Sequence, residues 1–258
     1  MSLHISLAAE EVMRVWGLSI TNSMLTGVLA ALVVMVTVIW AARRMSLSPD
    51  KKMPHMLDAI SDVLLDMIEQ VTHNRAKAIR FFPILISLFL FILINNWFGL
   101  LPGVGSITVV TSAGEVPLFR GMTADLNATL ALAIISVLVT HIYAVRELGL
   151  WRHLGKYFSW NPILLFVGLL ELLSDLSKMM SFSFRLFGNI FAGEVLLVVV
   201  SYLAPALAPL PFFLLEIFVG FIQGVVFTML TLVFLEIATS HHGEEAARDE
   251  VVVAPETG

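Results

Sequence analysis

The sequence predicts an all-α membrane protein: five membrane-embedded helices, an amphipathic helix on the cytoplasmic side, and a long, strongly tilted hairpin formed by the last two spans. Three observations carry this. The chain of 258 residues is 58% hydrophobic and 14% charged, with mean hydropathy +0.91, more apolar surface than one soluble core of that size can hide. Five apolar stretches reach or exceed the ~20 residues that cross a hydrocarbon core. The connections between them alternate between rich and poor in Lys and Arg, as loops on opposite sides of a membrane do.

Taken in order, residues 1–23 form an external N-terminal segment and 24–42 the first span. Glu10 and Glu11 stand where a secretory signal would be basic, and Arg43 and Arg44 follow the apolar run as a stop-transfer signal, so no cleaved leader is expected. Over 53–73, apolar residues from Met53 to Val71 recur at helical spacing, with Asp58, Asp62, Asp66 and Glu69 opposite. Two readings stand: the helix lies on the bilayer, or, because a lipid-surface helix usually carries Lys and Arg on its polar face, this acidic face meets a protein partner.

The second and third spans cover 79–100 and 125–146. The stretches 162–200 and 209–240 are too long to cross upright: a helix of the first one's 39 residues runs to ~58 Å against a hydrocarbon core of ~30 Å. A tilted hairpin is the economical solution. Glu244, Glu245, Asp249, Glu250 and Glu256 mark 241–258 as an acidic cytoplasmic tail.

Arg43, Arg44, Lys51, Lys52, Arg75, Lys77 and Arg80 follow the first span, only Arg120 follows the second, and Arg146, Arg152 and Lys156 follow the third. The N-terminus is therefore expected outside and the C-terminus inside. The absence of cysteine excludes disulfides and thiolate metal sites. His241 and His242 are adjacent on a tail and do not converge on one ion. Gly149 to Tyr157 has the wrong spacing for a phosphate loop, and Tyr157 stands where it needs Ser or Thr. Gly220 and Gly224 fit a close helix contact. No metal or cofactor is expected, and no nucleic-acid partner.

The last two helices nevertheless hold Glu171, Asp175, Lys178, Arg185, Glu194, Glu216 and Glu236, with Asn189 and Gln223. An ionised side chain at mid-bilayer costs roughly 2.5–3.5 kcal/mol even on the lenient insertion scale, so these cannot all face lipid. Glu171, Ser174, Lys178, Ser181, Arg185 and Asn189 fall on one helical face. Counted from the turn between the arms, Arg185 and Gln223 lie at similar depth, and Glu194 and Glu216 lie together nearer the outside. Glu194 is nine residues from Arg185, about half a turn out of phase on a straight helix. Either a bend at Gly188 or Gly193 reorients it, or it belongs to a path behind the arginine face. Carboxylates pass protons, whereas a guanidinium stays charged and serves as a barrier that makes a neighbouring acid ionise.

"FRLFGNIFAGEVL" followed by "FIQGVVFTMLTLVFLEIA" closely resembles the signature of subunit a of the bacterial F-type rotary ATP synthase, and the similarity extends over about residues 80–240, including "NNWFGLLPG" and "TADLNATLALA". The resemblance implies a non-catalytic stator subunit whose partners are the c-ring, b-type peripheral stalk subunits, the rest of the synthase and the lipid bilayer, in the bacterial inner membrane. It implies that the tilted hairpin lies against the c-ring and that Arg185 separates two half-channels serving the c-ring carboxylates. Glu194 and Glu216 then suit the outer half-channel, Asn189 and Gln223 its surroundings, and Glu171 the inner path. Asp125 and Asn127 either join the outer inlet, or Asp125 caps the third span.

Some family members pair glutamate with histidine at the positions of Glu194 and Glu216. Two carboxylates there share a proton or bind a cation, which keeps sodium open as the coupling ion. Two rivals are a self-sufficient channel or transporter using its own carboxylates, and a scaffold whose charges are structural pairs.

Overall fold

A computed structural model describes residues 9–15, 18–47, 55–101, 104, 107–111, 114–155, 157, 162–204 and 207–253; the side chains of 15, 18, 40–47, 55–58, 148, 152, 154, 164 and 240–253 lie outside this description. That places Arg43, Arg44, Lys51, Lys52, Asp58, Arg152, Lys156, His241, His242 and the acidic side chains of the tail beyond what is described.

The chain opens with an antiparallel hairpin, β1 (Glu11–Val15) and β2 (Leu18–Thr21), and continues into α1 (Asn22–Leu47) and α2 (His55–Thr72). His73, at φ 49°, turns the chain out of α2, and Asn74 starts α3 (Arg75–Gly99) by accepting from the backbone N–H groups of Ala76 and Lys77 through Oδ1. A second hairpin follows, β3 (Thr108–Thr111) and β4 (Gly114–Pro117), with Gly114 at φ +119° in its turn. Then come α4 (Leu126–Leu148), the short α5 (Leu150–Gly155), and two long unbroken helices, α6 (Pro162–Leu203) and α7 (Pro209–Val253). The backbone of α7 runs on past Ser240, the predicted end of the span.

Five helices are long and apolar enough to cross a membrane, over Asn22–Ile39, Arg75–Gly99, Leu126–Glu147, Leu165–Leu203 and Pro209–Thr239. The architecture is that of an all-α membrane protein. The two hairpins are additions that sequence patterning did not predict, because strands of four or five residues are too short to show a clear period-2 signal.

Two apolar clusters fix the bundle. One joins Leu64 and Ile68 of α2 to Phe81, Leu85 and Phe89 of α3 and to Leu232 and Leu235 of α7. Leu64 and Ile68 of α2 are thus covered by this chain's own helices, while Asp62 and Asp66 stay exposed. The other joins Ile92, Leu132 and Phe227 to Phe182, Leu186 and Ile190, which recur every four residues on one side of α6.

The two ends of the bundle are fastened differently. At one end, ion pairs link helices: Lys77 Nζ to Glu236 Oε1 at 2.9 Å, Arg80 to Glu147, and Arg75 to Glu69. At the other, fully buried Asn22, Ser23 and Thr26 of α1 grip the segment between β4 and α4. Asn22 Nδ2 donates to the Pro117 carbonyl at 3.2 Å, Ser23 Oγ to Asp125 Oδ2 at 2.7 Å, and the Arg120 backbone N–H to Thr26 Oγ1 at 3.2 Å.

Candidate functional site

The polar residues of α6 and α7 fall into three zones. The middle one is set by the imbalance of α6: only 17% of its apolar window is buried, against 44% for α3. Phe182, Leu186 and Ile190 face inward, so Arg185 and Asn189 lie on the exposed side. Among the described residues no ion-pair or hydrogen-bond partner is found for the Arg185 side chain. One turn further along, Asn189 Nδ2 donates to Gln223 Oε1 at 2.8 Å, which ties α6 to buried Gln223 of α7. The depth match expected between Arg185 and Gln223 is thus made by Asn189.

Towards the hairpin end a cavity of about 470 Å³ opens between α3, α6, α7, the second hairpin and Glu10 just ahead of the first. Glu194 and Glu216 both line it, together with Arg120, Asn96, Glu10 and Glu115. Glu216 is buried, and its carboxylate lies where a β-carbon on Gly193 would sit. Arg120 is 7% exposed and sets Nη2 3.5 Å from Glu194 Oε2, while the Glu194 side chain keeps 41% of its surface open. Neighbouring contacts hold α7 in place: Asn96 Nδ2 donates to the Gly220 carbonyl at 2.8 Å and Trp97 Nε1 to the Ile217 carbonyl at 3.0 Å. Gly220 packs on Asn96 and Gly224 on Phe89, the close helix contact that their spacing predicts.

With α6 unbroken, Glu194 and Arg185 stand on different sides of one helix, Glu194 in the cavity and Arg185 outward. Gly193 provides room for Glu216 instead of a bend. Asp125 is 6% exposed and caps α4: Oδ1 accepts from the Asn127 backbone N–H at 3.0 Å, while Oδ2 is held by Ser23. Neither Asp125 nor exposed Asn127 is among the residues lining the cavity.

The third zone lies towards the ion-paired end. Asp175, buried on α6, accepts from Lys178 Nζ at 2.8 Å through Oδ1 and from the Tyr157 hydroxyl at 2.9 Å through Oδ2, with His141 Nε2 of α4 at 3.7 Å. The His153 ring packs edge-on against both His141 and Tyr157. Burial, and then the Asp175 carboxylate, push the Tyr157 phenol above its ordinary range. Half-buried Glu171 lies one turn from Asp175 on the same helix.

Sequence reasoning missed Arg120, His141, His153 and Tyr157. Arg120 is legible there only as a loop charge, although a lone basic residue set midway between Glu115 and Asp125 is a usable signal. The aromatic and histidine contacts bring together residues from α4, α5 and the connection between α5 and α6, and no local pattern announces them.

A bundle with five helices long and apolar enough to cross a membrane is that of an integral membrane protein. A family model described as the ATP synthase A chain matches residues 24–236. The chain is 32% identical over 214 residues to ATP synthase subunit a of Campylobacter jejuni subsp. doylei, covering 82% of this chain and 87% of that one. It is 32% identical over 187 residues to ATP synthase subunit a of Geobacter sulfurreducens, covering 71% and 73%. With ATP synthase subunit a 2 of Syntrophotalea carbinolica it shares 36% identity over 162 residues, 62% of each chain. The chain belongs to the ATP synthase A chain family.

Proposed function

We propose that this chain is the stationary, non-catalytic wall of the ion path in the Fo sector of an F-type ATP synthase. It provides two offset half-channels that carry protons to and from carboxylates on a rotating c-ring. The observation that carries this reading is the exposed side of α6, where Arg185 lies on a helix with only 17% of its apolar window buried. A permanent cation on such a surface is costly against lipid and favourable against a partner that carries carboxylates.

The outer half-channel is the cavity of Glu194 and Glu216, with Asn189 and Gln223 bordering it; the inner path passes Glu171 near the Asp175 cluster. Arg185, between them, is the barrier. A proton passing straight through would dissipate about 2.3 kcal/mol per 100 mV without turning the ring. The ion pairs of Lys77 and Arg80 lie at the end where basic loops cluster, which supports a cytoplasmic assignment for that end, with the C-terminus inside and the hairpins outside, in a bacterial inner membrane. The exposed acids of α2 offer a surface to a b-type peripheral stalk.

The test is ATP-driven dye quenching in inverted vesicles holding the assembled complex, comparing wild type with Arg185→Ala. Pumping should disappear while the assembled variant leaks protons passively. Persistent pumping would sink the half-channel reading, and ion flux from the isolated wild-type chain would favour a self-sufficient channel.

A further inference from the structure

We propose that Arg120 is the specificity-determining residue of the outer cavity: its buried guanidinium, held against Glu194, keeps alkali cations off the carboxylate pair while leaving it open to protons. The inference rests on the half-channel reading above and assigns a role to a residue that the reading does not use.

The need for such a residue follows from the charges on the cavity wall. Glu194 and Glu216 face one cavity, and Glu10 and Glu115 add two more carboxylates from the hairpin side. A pocket lined this way concentrates any small cation, sodium included. Arg120 is the one basic residue among its described lining residues. Its Nη2 lies 3.5 Å from Glu194 Oε2, within the space that a metal ion on that oxygen would occupy. A metal ion there meets the full repulsion of a fixed cation in a partly dry site. A proton on Glu194 weakens the same charge pair, but it needs no coordination shell and no volume of its own, so the guanidinium that fills a metal ion's place does not shut it out.

The placement of Arg120 is built, and the parts that build it come from elsewhere in the chain. Its backbone N–H is bonded to Thr26 of α1. The segment carrying it is pinned on one side at Pro117 by Asn22 and on the other at Asp125 by Ser23. The side chain is 7% exposed and cannot swing into solvent as a loop arginine normally does. Arginine suits the task better than lysine, since its charge persists at every cellular pH.

The experiment uses inverted vesicles with the assembled complex, loaded with sodium or with choline at equal ionic strength, because the lumen of such vesicles faces the outer cavity. The readout is the ratio of initial ATP-driven pumping rates in the two salts. Wild type and Arg120→Lys should give the same rate in both. Arg120→Gln should pump at least about tenfold more slowly in sodium than in choline.

A merely structural role would lower both rates together and leave the ratio at one, which overturns the proposal. Equal sodium inhibition in wild type overturns it too. Should Arg120→Gln not assemble, Thr26→Val, which loosens the arginine without removing it, is read for the same shift in ratio, and an unchanged ratio there counts against the proposal. Arg185→Ala in the same vesicles separates the two claims. If it pumps, the half-channel reading falls; if it does not pump while Arg120→Gln ignores sodium, only the role of Arg120 falls.

Discussion

The carboxylate of Glu216 occupies the space that a β-carbon on Gly193 would take, so a backbone on α6 and an acid on α7 are packed directly against each other. That contact sets Glu216 in the same cavity as Glu194, the residue next to Gly193. It also explains a glycine inside a long helix, where glycine costs about 0.5–1 kcal/mol relative to alanine.

Gly193→Ala should therefore act on Glu216. Forcing a methyl into this contact costs about 1–3 kcal/mol in overpacking and is relieved by moving the carboxylate. Proton pumping per assembled complex is expected to fall about tenfold to hundredfold, as misplacement of a reacting group does. Pumping at the wild-type rate would show that the position of Glu216 is not used.

The Asn189–Gln223 hydrogen bond at 2.8 Å is the polar tie between the two long helices next to Arg185. Asn189→Ala, Gln223→Ala and the double variant, compared through pumping rates, should give a coupling energy of about 0.5–1.5 kcal/mol. Strictly additive effects would mean that the two amides act separately.

Tyr157 supplies a pH-dependent contact at the opposite level. Burial and Asp175 raise its phenol above the ordinary value, so the unfolded or undocked chain loses its proton first as pH rises. The contact's contribution is complete below about pH 10, the ordinary phenol value, and declines as pH climbs towards the raised one. Tyrosinate absorbance of the solubilised complex, taken as the difference between wild type and Tyr157→Phe, should show a transition displaced to the alkaline side. A transition at the ordinary phenol value would contradict the buried hydrogen bond.

The parts of the fold and site that were legible in the sequence are those governed by local periodicity or by counting along a helix. Apolar length marks the five spans, and the equal distances of Glu194 and Glu216 from the turn anticipate their shared cavity. The opposition of Glu194 and Arg185 follows from 3.6 residues per turn, but choosing between a bend and two faces required knowing that α6 is unbroken. Two readings of Asp125 were equally open because a cap and a channel carboxylate look alike in sequence; the bond from Ser23, 102 residues away, is what occupies its second oxygen. Arg120 reaches Glu194 through a segment fastened to α1, and His141, His153 and Tyr157 meet through tertiary packing. Neither arrangement has a period.

The bareness of α6 bears on how such a protein is made. A chain newly inserted into the bilayer holds Arg185 against hydrocarbon, at roughly 2.5–3.5 kcal/mol on the insertion scale, unless the helix shifts until the guanidinium reaches the headgroups. Under the proposed function, docking of the ring on that face would remove this cost and draw the arginine to its working depth. Biogenesis and final geometry are thereby linked: the orphan subunit and the assembled one need not hold their longest helices at the same level in the membrane.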